Sequence, residues 1–313
     1  PSKGEVRRGE HPPWPPFKGG DPEGDSLRYG AFYRETAMPL TEQEIQELTK
    51  RAAKIRREIV DVTGWSGGAH IGGALSQTDI MTILYWKYLN IDPKRPKWDD
   101  RDRFVLSKGH GGVGYAVVLA NRGYFDPEQL KDFNHSGSAF GMHLDGNKVI
   151  GVDASTGSLG HGLPIALGMA LGARVQGKPW RTYCILGDGE CDEGSIWEAA
   201  MTAHHYKVNN LTAFVDRNRM MIDGPTEEIM SLEPFADKWK AFGWEVKVID
   251  GHSFPELAAA IEFAIAFKGG PVMIICNTVK GKGVSFMENK PGWHYGGLDS
   301  NLVAQAKASI GGE

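Results

Sequence analysis

Two strand endings, Asp188 and Asn218, constrain this chain more than anything else in it. The stretch Thr182-Tyr183-Cys184-Ile185-Leu186 is short, apolar and β-prone. It runs into Gly187-Asp188-Gly189-Glu190-Cys191-Asp192-Glu193-Gly194 and then a helix-like Ser195-Ile196-Trp197-Glu198-Ala199-Ala200-Met201. That order reads as a buried strand, a glycine-flanked turn and a helix, where backbone N–H groups and a helix start can hold a phosphate. The design repeats, because Leu211-Thr212-Ala213-Phe214-Val215 is a second apolar strand leading into Asp216-Arg217-Asn218-Arg219-Met220. Consecutive parallel strands joined by a helix lie side by side, so Asp188 and Asn218 should emerge at neighbouring carboxyl ends. One carboxylate and one amide oxygen beside a phosphate loop form half an octahedral Mg²⁺ site, with diphosphate oxygens and water as the remainder. A lone Gly-Asp-Gly is more often a plain turn. Its pairing with Asn218 carries the reading.

The rest of the chain keeps the same rhythm. Thr41 and Glu44 form a capping box before a helix with apolar residues at Ile45, Leu48, Ala52, Ile55, Ile59 and Val62. A glycine-rich loop, Gly64 to Gly73, precedes a helix expected from about Ser76 to Asn90. Arg103-Phe104-Val105-Leu106 is a strand ending at Ser107-Lys108-Gly109-His110-Gly111-Gly112. Residues 126 to 150 read as irregular, and Ser155 to Gly160 leads into a helix from Ile165 to Val175. A short helix near Phe235 to Phe242, a strand Glu245 to Ile249, a helix Ser253 to Phe267 and a strand Pro271 to Cys276 complete the alternation. The fold class is therefore α/β, with a mainly parallel sheet and helices on both faces. Two regions are expected: an extended arm over 1–37, rich in Pro and carrying Trp14, Phe17, Tyr29, Phe32 and Tyr33, and one domain over 38–313 with an irregular C-terminal tail.

A length of 313 residues suffices for a substantial core, and a net charge of -4 gives no electrostatic case for nucleic acid or an anionic membrane. No apolar run spans a bilayer and no signal-peptide core is evident at the N-terminus, so a cytoplasmic location is expected. Cys184, Cys191 and Cys276 lack disulfide or zinc spacing and suit a reducing compartment; Cys191 reads as a small filler.

The Gly-Asp-Gly run with Asn closing the next strand resembles the diphosphate-binding signature of thiamine diphosphate enzymes. The continuation through Met220 and Ile222-Asp223-Gly224 resembles the transketolase branch. Arg217 departs from the family, which often has an amide-type or acidic residue there. The resemblance extends to four histidine loops. Gly68-Ala69-His70-Ile71-Gly72 is similar to the first, with Ile71 where Pro is usual. Leu106-Ser107-Lys108-Gly109-His110 closely matches the second. Gly141-Met142-His143 resembles the third, with Leu144-Asp145 in place of Pro-Glu, and His294 after Lys280-Gly281-Lys282-Gly283 resembles the fourth.

The resemblance implies a thiamine diphosphate-binding fold that uses thiamine diphosphate and Mg²⁺. Asp188, Asn218 and Met220 would hold the metal. Gly157, Ser158, Leu159, Gly187, Asp188, Gly189, Glu190, Asn218, His110 and His294 would contact the cofactor. His70, His110, His143 and His294 would serve ketol transfer, which deprotonates a donor hydroxyl, breaks a carbon–carbon bond and reprotonates a new alkoxide; imidazoles suit both proton steps. The thiazolium ring is the electron sink. Glu193 resembles a glutamate of a proton-sharing carboxylate network between two active sites, its plain alternative being a helix-start acid. Lys280 and Lys282 are expected to be solvated, and His161 structural or superficial.

The resemblance covers Leu40 to His294, about half of a transketolase, and omits the pyrimidine-binding domain. The chain is thus expected to be the N-terminal subunit of a two-chain transketolase, transferring a two-carbon ketol unit from a ketose to an aldose. A C-terminal subunit would supply the pyrimidine-binding domain in an α2β2 heterotetramer. Two alternatives stand beside it: the α chain of a 2-oxo acid dehydrogenase or acyloin-forming enzyme, and a non-catalytic subunit retaining the fold.

Overall fold

The computed structural model describes residues 40–311, so the arm expected over 1–37 lies outside the described residues. Helix α1 (Glu42–Trp65) starts as its sequence dictates. The Thr41 hydroxyl accepts from the Glu44 N–H at 3.2 Å, and the Glu44 carboxylate accepts from the Thr41 N–H at 2.8 Å. Such a cap contributes about 1 kcal/mol. Leu48, Ala52, Ile55, Ile59 and Val62 are buried along one face, and Ile45 is half-buried at its start.

Helices α2 (Ile71–Ser76) and α3 (Thr78–Ile83) follow, with a π turn over Leu84–Tyr88. The expected helix from Ser76 therefore begins five residues earlier, inside the glycine-rich loop. Glycine disfavours helix by about 1 kcal/mol per residue, but all six residues of α2 are buried. A Cβ on Gly72 would stand 2.6 Å from the Trp293 carbonyl oxygen. The glycine lets two backbones approach, and packing overrides propensity.

The remaining order is β1 (Arg103–Leu106), α4 (Gly112–Arg122), α5 (Gly162–Gln176), β2 (Thr182–Gly187), α6 (Gly194–His205) and β3 (Leu211–Arg217). Then come α7 (Thr226–Ile229), α8 (Phe235–Ala241), β4 (Glu245–Asp250), α9 (Phe254–Ala266), β5 (Val272–Asn277) and α10 (Ser300–Ser309). The expected irregularity of 126–150 is broken only by a 3₁₀ stretch, Pro127–Asp132. The tail departs from expectation by forming α10. Asp299 caps it, its carboxylate accepting from the Leu302 N–H at 2.8 Å, and Lys307 pairs with Asp61 of α1 at 2.8 Å.

The five strands form one sheet in the order β1-β2-β3-β5-β4, every neighbouring pair parallel. Alternate side chains feed two cores, as strand geometry requires. Phe104, Tyr183, Ile185, Phe214 and Ile274 pack with α1 to α4, α9 and α10. Val105, Cys184, Leu186, Val215 and Ile275 pack with α5, α6 and α8. Each fully buried Leu, Ile or Phe contributes roughly 1.5–3 kcal/mol. Cys184, Cys191 and Cys276 are all buried and unpaired. No helix among the described residues is long and apolar enough to cross a membrane.

Parallel strands put every carboxyl end on one edge of the sheet. Gly187 pairs with Asp216, and Arg217 with Asn277. The residues that follow β1, β2, β3 and β5 therefore meet at one rim.

Candidate active site

The β2 and β3 tips are tied directly. Asp188, buried, accepts from the Gly189 N–H at 2.9 Å and from the Arg219 N–H at 2.5 Å. Arg219 has φ 64, a left-handed conformation that a non-glycine residue keeps only where its surroundings impose it. Asn218 is anchored from behind: its amide nitrogen donates toward Asp216 at 3.3 Å and Ser76 at 3.4 Å, while its oxygen accepts from the Met220 N–H at 3.1 Å. An amide oxygen has two lone pairs, so one stays open. Burial, then the charge of Asp216, pushes the Asp188 carboxyl up to about 6. A cation would relieve that penalty.

Asp216 lies beneath the rim, fully buried. It accepts from Lys108 Nζ at 2.5 Å and Ser76 Oγ at 2.6 Å, and from the Thr278 hydroxyl. Burial alone would raise its pKa; the Lys108 ammonium and these donors outweigh burial and hold it below the usual range. Glu190, also buried, binds the Ser107 hydroxyl, the Gly160 N–H at 2.9 Å and the Gly187 N–H at 3.0 Å. Its carboxylate thus staples the β1 tip, the Gly157–Gly160 segment and the β2 tip together. Held there, it sits beside the Gly187–Gly189 turn expected to face the cofactor.

Lys280 corrects the expectation of solvation. It is 1% exposed, and its ammonium donates to the Met220 carbonyl at 3.1 Å and the Met221 carbonyl at 3.3 Å, with His294 Nδ1 at 2.8 Å. Burial and the Lys108 charge bring its pKa down to about 8. Among the described residues no carboxylate pairs with it. Lys282 is half-buried.

Arg217 is likewise buried. It lies 3.5 Å from Asp188, 2.7 Å from Glu227 and 3.1 Å from Glu233, and its guanidinium sits over the Phe235 ring at 5.2 Å. The family departure is thus a charged strut between the β3 tip and the 226–235 segment. Sequence reasoning misses Lys108, Asp216, Arg217 and Lys280 as site residues. The available signal is a charged residue inside or just past an apolar strand, since such a residue is buried only when paired.

The four predicted histidines converge. His70 has its ring 5.1 Å from His110, 5.3 Å from His294 and 6.3 Å from His143; His110 and His294 stack at 5.4 Å. A two-stranded bridge, Ala69 with Gly296, brings the first and fourth loops together. Gly157 lies under His143, whose ring atoms would be 3.4 Å from a Cβ there. Ser158 is exposed and Leu159 half-buried beside them. His161 is exposed at the start of α5, as expected. Glu193 is exposed at the start of α6 and makes no side-chain cap.

Burial lowers all four imidazoles. Burial and then the His143, Lys280 and Lys108 charges bring His70 to about 4; burial and Lys280 bring His294 to about 3. His110 is held well below its ordinary value by burial and Lys108, and His143 is lowered by burial. All four are neutral at neutral pH, able to accept a proton. His70 Nδ1 is buried without a hydrogen-bond partner among the described residues. An imidazole whose pKa falls on folding binds protons less well folded than unfolded. Its stabilising share is complete above pH 6.5 and is lost as pH falls toward its folded pKa. Asp188, raised to about 6, acts with the opposite sign. His294→Asn is therefore expected to lose less stability between pH 7 and about 4 than the parent chain, measured by urea unfolding across that range.

The family described as "Transketolase, thiamine diphosphate binding domain" matches residues 48–313. The chain belongs to the transketolase family. This transketolase chain is 45% identical over 271 residues to the 6-deoxy-6-sulfo-D-fructose transketolase subunit SqwG of a Clostridium strain, covering 87% of this chain and 98% of that one. It is 43% identical over 250 residues to one of the apulose-4-phosphate transketolase subunits of Actinobacillus succinogenes, covering 80% and 90%. A solved transketolase mutant from Pichia stipitis superposes with a TM-score of 0.80 at 31% identity, covering 84% of this chain and 41% of that one. The chain thus matches nearly the full length of the first two relatives and less than half of a single-chain transketolase. The 2-oxo acid dehydrogenase alternative is set aside, and the relatives are named as enzyme subunits, which disfavours the non-catalytic reading.

Proposed function

We propose that this chain is the diphosphate-binding subunit of a two-chain transketolase that moves a two-carbon ketol unit from a ketose with a terminal anionic group to an aldose. The observation that carries this reading is the meeting of four histidines beside the Asp188–Asn218 rim, joined to it through Lys280, which reaches both His294 and the Met220 carbonyl. Thiamine diphosphate, when bound, supplies the electron sink for carbon–carbon cleavage. The residues fit it: Lys280 is a buried cation without a carboxylate among the described residues, and the Gly187 to Gly189 turn packs on Met221, whose carbonyl Lys280 binds, both suited to a diphosphate. Asp188, Asn218 Oδ1 and the Met220 carbonyl are hard oxygen donors, the set Mg²⁺ prefers.

In this assignment His110 and His294 contact the cofactor, while His70, His143 and His294 hold and shuttle protons at substrate hydroxyls. Gly157, Ser158 and Leu159 pack against the ring system. Glu193, exposed, reaches toward a second active site. The partner chain supplies the pyrimidine-binding half in an α2β2 assembly in the cytoplasm. The terminal anion is inferred from the substrates in the relatives' names, a sulfonate in one and a phosphate in the other.

The test is to purify the chain with its partner and assay 6-deoxy-6-sulfo-D-fructose, apulose 4-phosphate and D-fructose 6-phosphate as donors, with pyruvate as control. Ketose turnover supports the reading. Turnover of pyruvate alone would replace it.

A further inference from the structure

The Ala69–Gly296 bridge delivers one more side chain to the histidine cluster. Ala69 and Gly296 exchange two backbone hydrogen bonds of 3.0 Å. On this bridge Tyr295 stands edge-on to His70, ring centroids 5.1 Å apart. Gly68 leaves space for it, and Gly297 lets the two loops approach. A Cβ on Gly68 would meet the Tyr295 hydroxyl at 2.7 Å, and one on Gly297 would lie 2.8 Å from the Gly67 carbonyl oxygen. Tyr295 is nonetheless 44% exposed, and its hydroxyl has no hydrogen-bond partner among the described residues. A phenol beside a reacting cluster, apolar on its faces and free to donate at its tip, is suited to hold a polyhydroxylated chain.

We propose that Tyr295 is a specificity-determining residue: its hydroxyl donates to an oxygen on the ketose beyond the two carbons transferred, and its ring limits the site's width on the His70 side. The inference rests on the ketol-transfer reading. It separates substrates by length. Hydroxypyruvate delivers the same two-carbon unit and leaves carbon dioxide behind, so it has no distal chain for the phenol to touch.

The experiment compares the parent two-chain complex with Y295F and Y295A, each assayed with 6-deoxy-6-sulfo-D-fructose, D-fructose 6-phosphate and hydroxypyruvate. Y295F is expected to raise the ketose KM about tenfold, the scale of one lost hydrogen bond. Its kcat, and both parameters for hydroxypyruvate, should stay within about twofold. Y295A should shift ketose KM at least as far. Equal losses with both donor classes would show a merely structural role and overturn the inference, as would an unchanged ketose KM in both variants. A parent complex that turns over hydroxypyruvate but neither ketose also removes it. A parent complex inactive with every donor overturns the ketol-transfer reading and this inference with it.

Discussion

Asp188→Asn is expected to abolish Mg²⁺-dependent thiamine diphosphate binding while leaving the fold intact. The substitution keeps an oxygen for one of the two N–H groups that Asp188 receives, from Gly189 and Arg219, and Arg217 keeps Glu227 and Glu233 as partners, so folding stability should change by about 1–2 kcal/mol. In the proposed site the cation would lose its single carboxylate. Removing an outer-shell partner typically costs roughly 10–100-fold in metal affinity, and loss of a direct ligand should exceed that. Calorimetric titration of the two-chain complex with thiamine diphosphate, with and without Mg²⁺, reads the effect. Parent-like affinity in the variant would remove Asp188 from the metal site.

The largest stability effect is expected at Lys108→Met. Lys108 and Asp216 form an ion pair with side chains 2% and 0% exposed, 2.5 Å apart. Removing one member of a buried pair strands the other's charge, a loss of about 3–5 kcal/mol. Asp216 would keep Ser76, Thr278 and Asn218 as donors, which places the effect at the lower end. The double variant Lys108→Met/Asp216→Asn should regain part of the loss, because no unpaired charge remains. Urea midpoints measure both. A Lys108→Met loss below about 1 kcal/mol would contradict a dry, paired site. The double variant should still bind the cofactor poorly, since Asp216 orients Asn218.

The contrast between these residues explains what the sequence disclosed. Asp188 and Asn218 are legible because a strand-and-turn pattern fixes where a strand tip lies, and two parallel strands fix that the tips are neighbours. The histidines are legible only through their loops and a family resemblance. No spacing rule links His70 to His294, 224 positions later; the Ala69–Gly296 bridge does so in three dimensions. Lys108, Asp216 and Lys280 are hidden for a different reason. Charges are solvated by default, and only tertiary contacts show that these three are buried. The glycines of α2 mislead for a related cause, since local propensity gives way to the close approach that Gly72 allows. The helix at Ser300–Ser309 has a readable cap in Asp299 but a weak apolar face, so its sequence reads as irregular.

The relatives matched over nearly their full length are named as transketolase subunits, which implies a partner subunit. Dependence on that partner is tested most directly by assaying the purified chain with thiamine diphosphate, Mg²⁺ and the ketose donors, first alone and then with its partner subunit. No turnover is expected from the chain alone, and ketol transfer is expected once the partner is added. Sustained turnover by the chain on its own would contradict it.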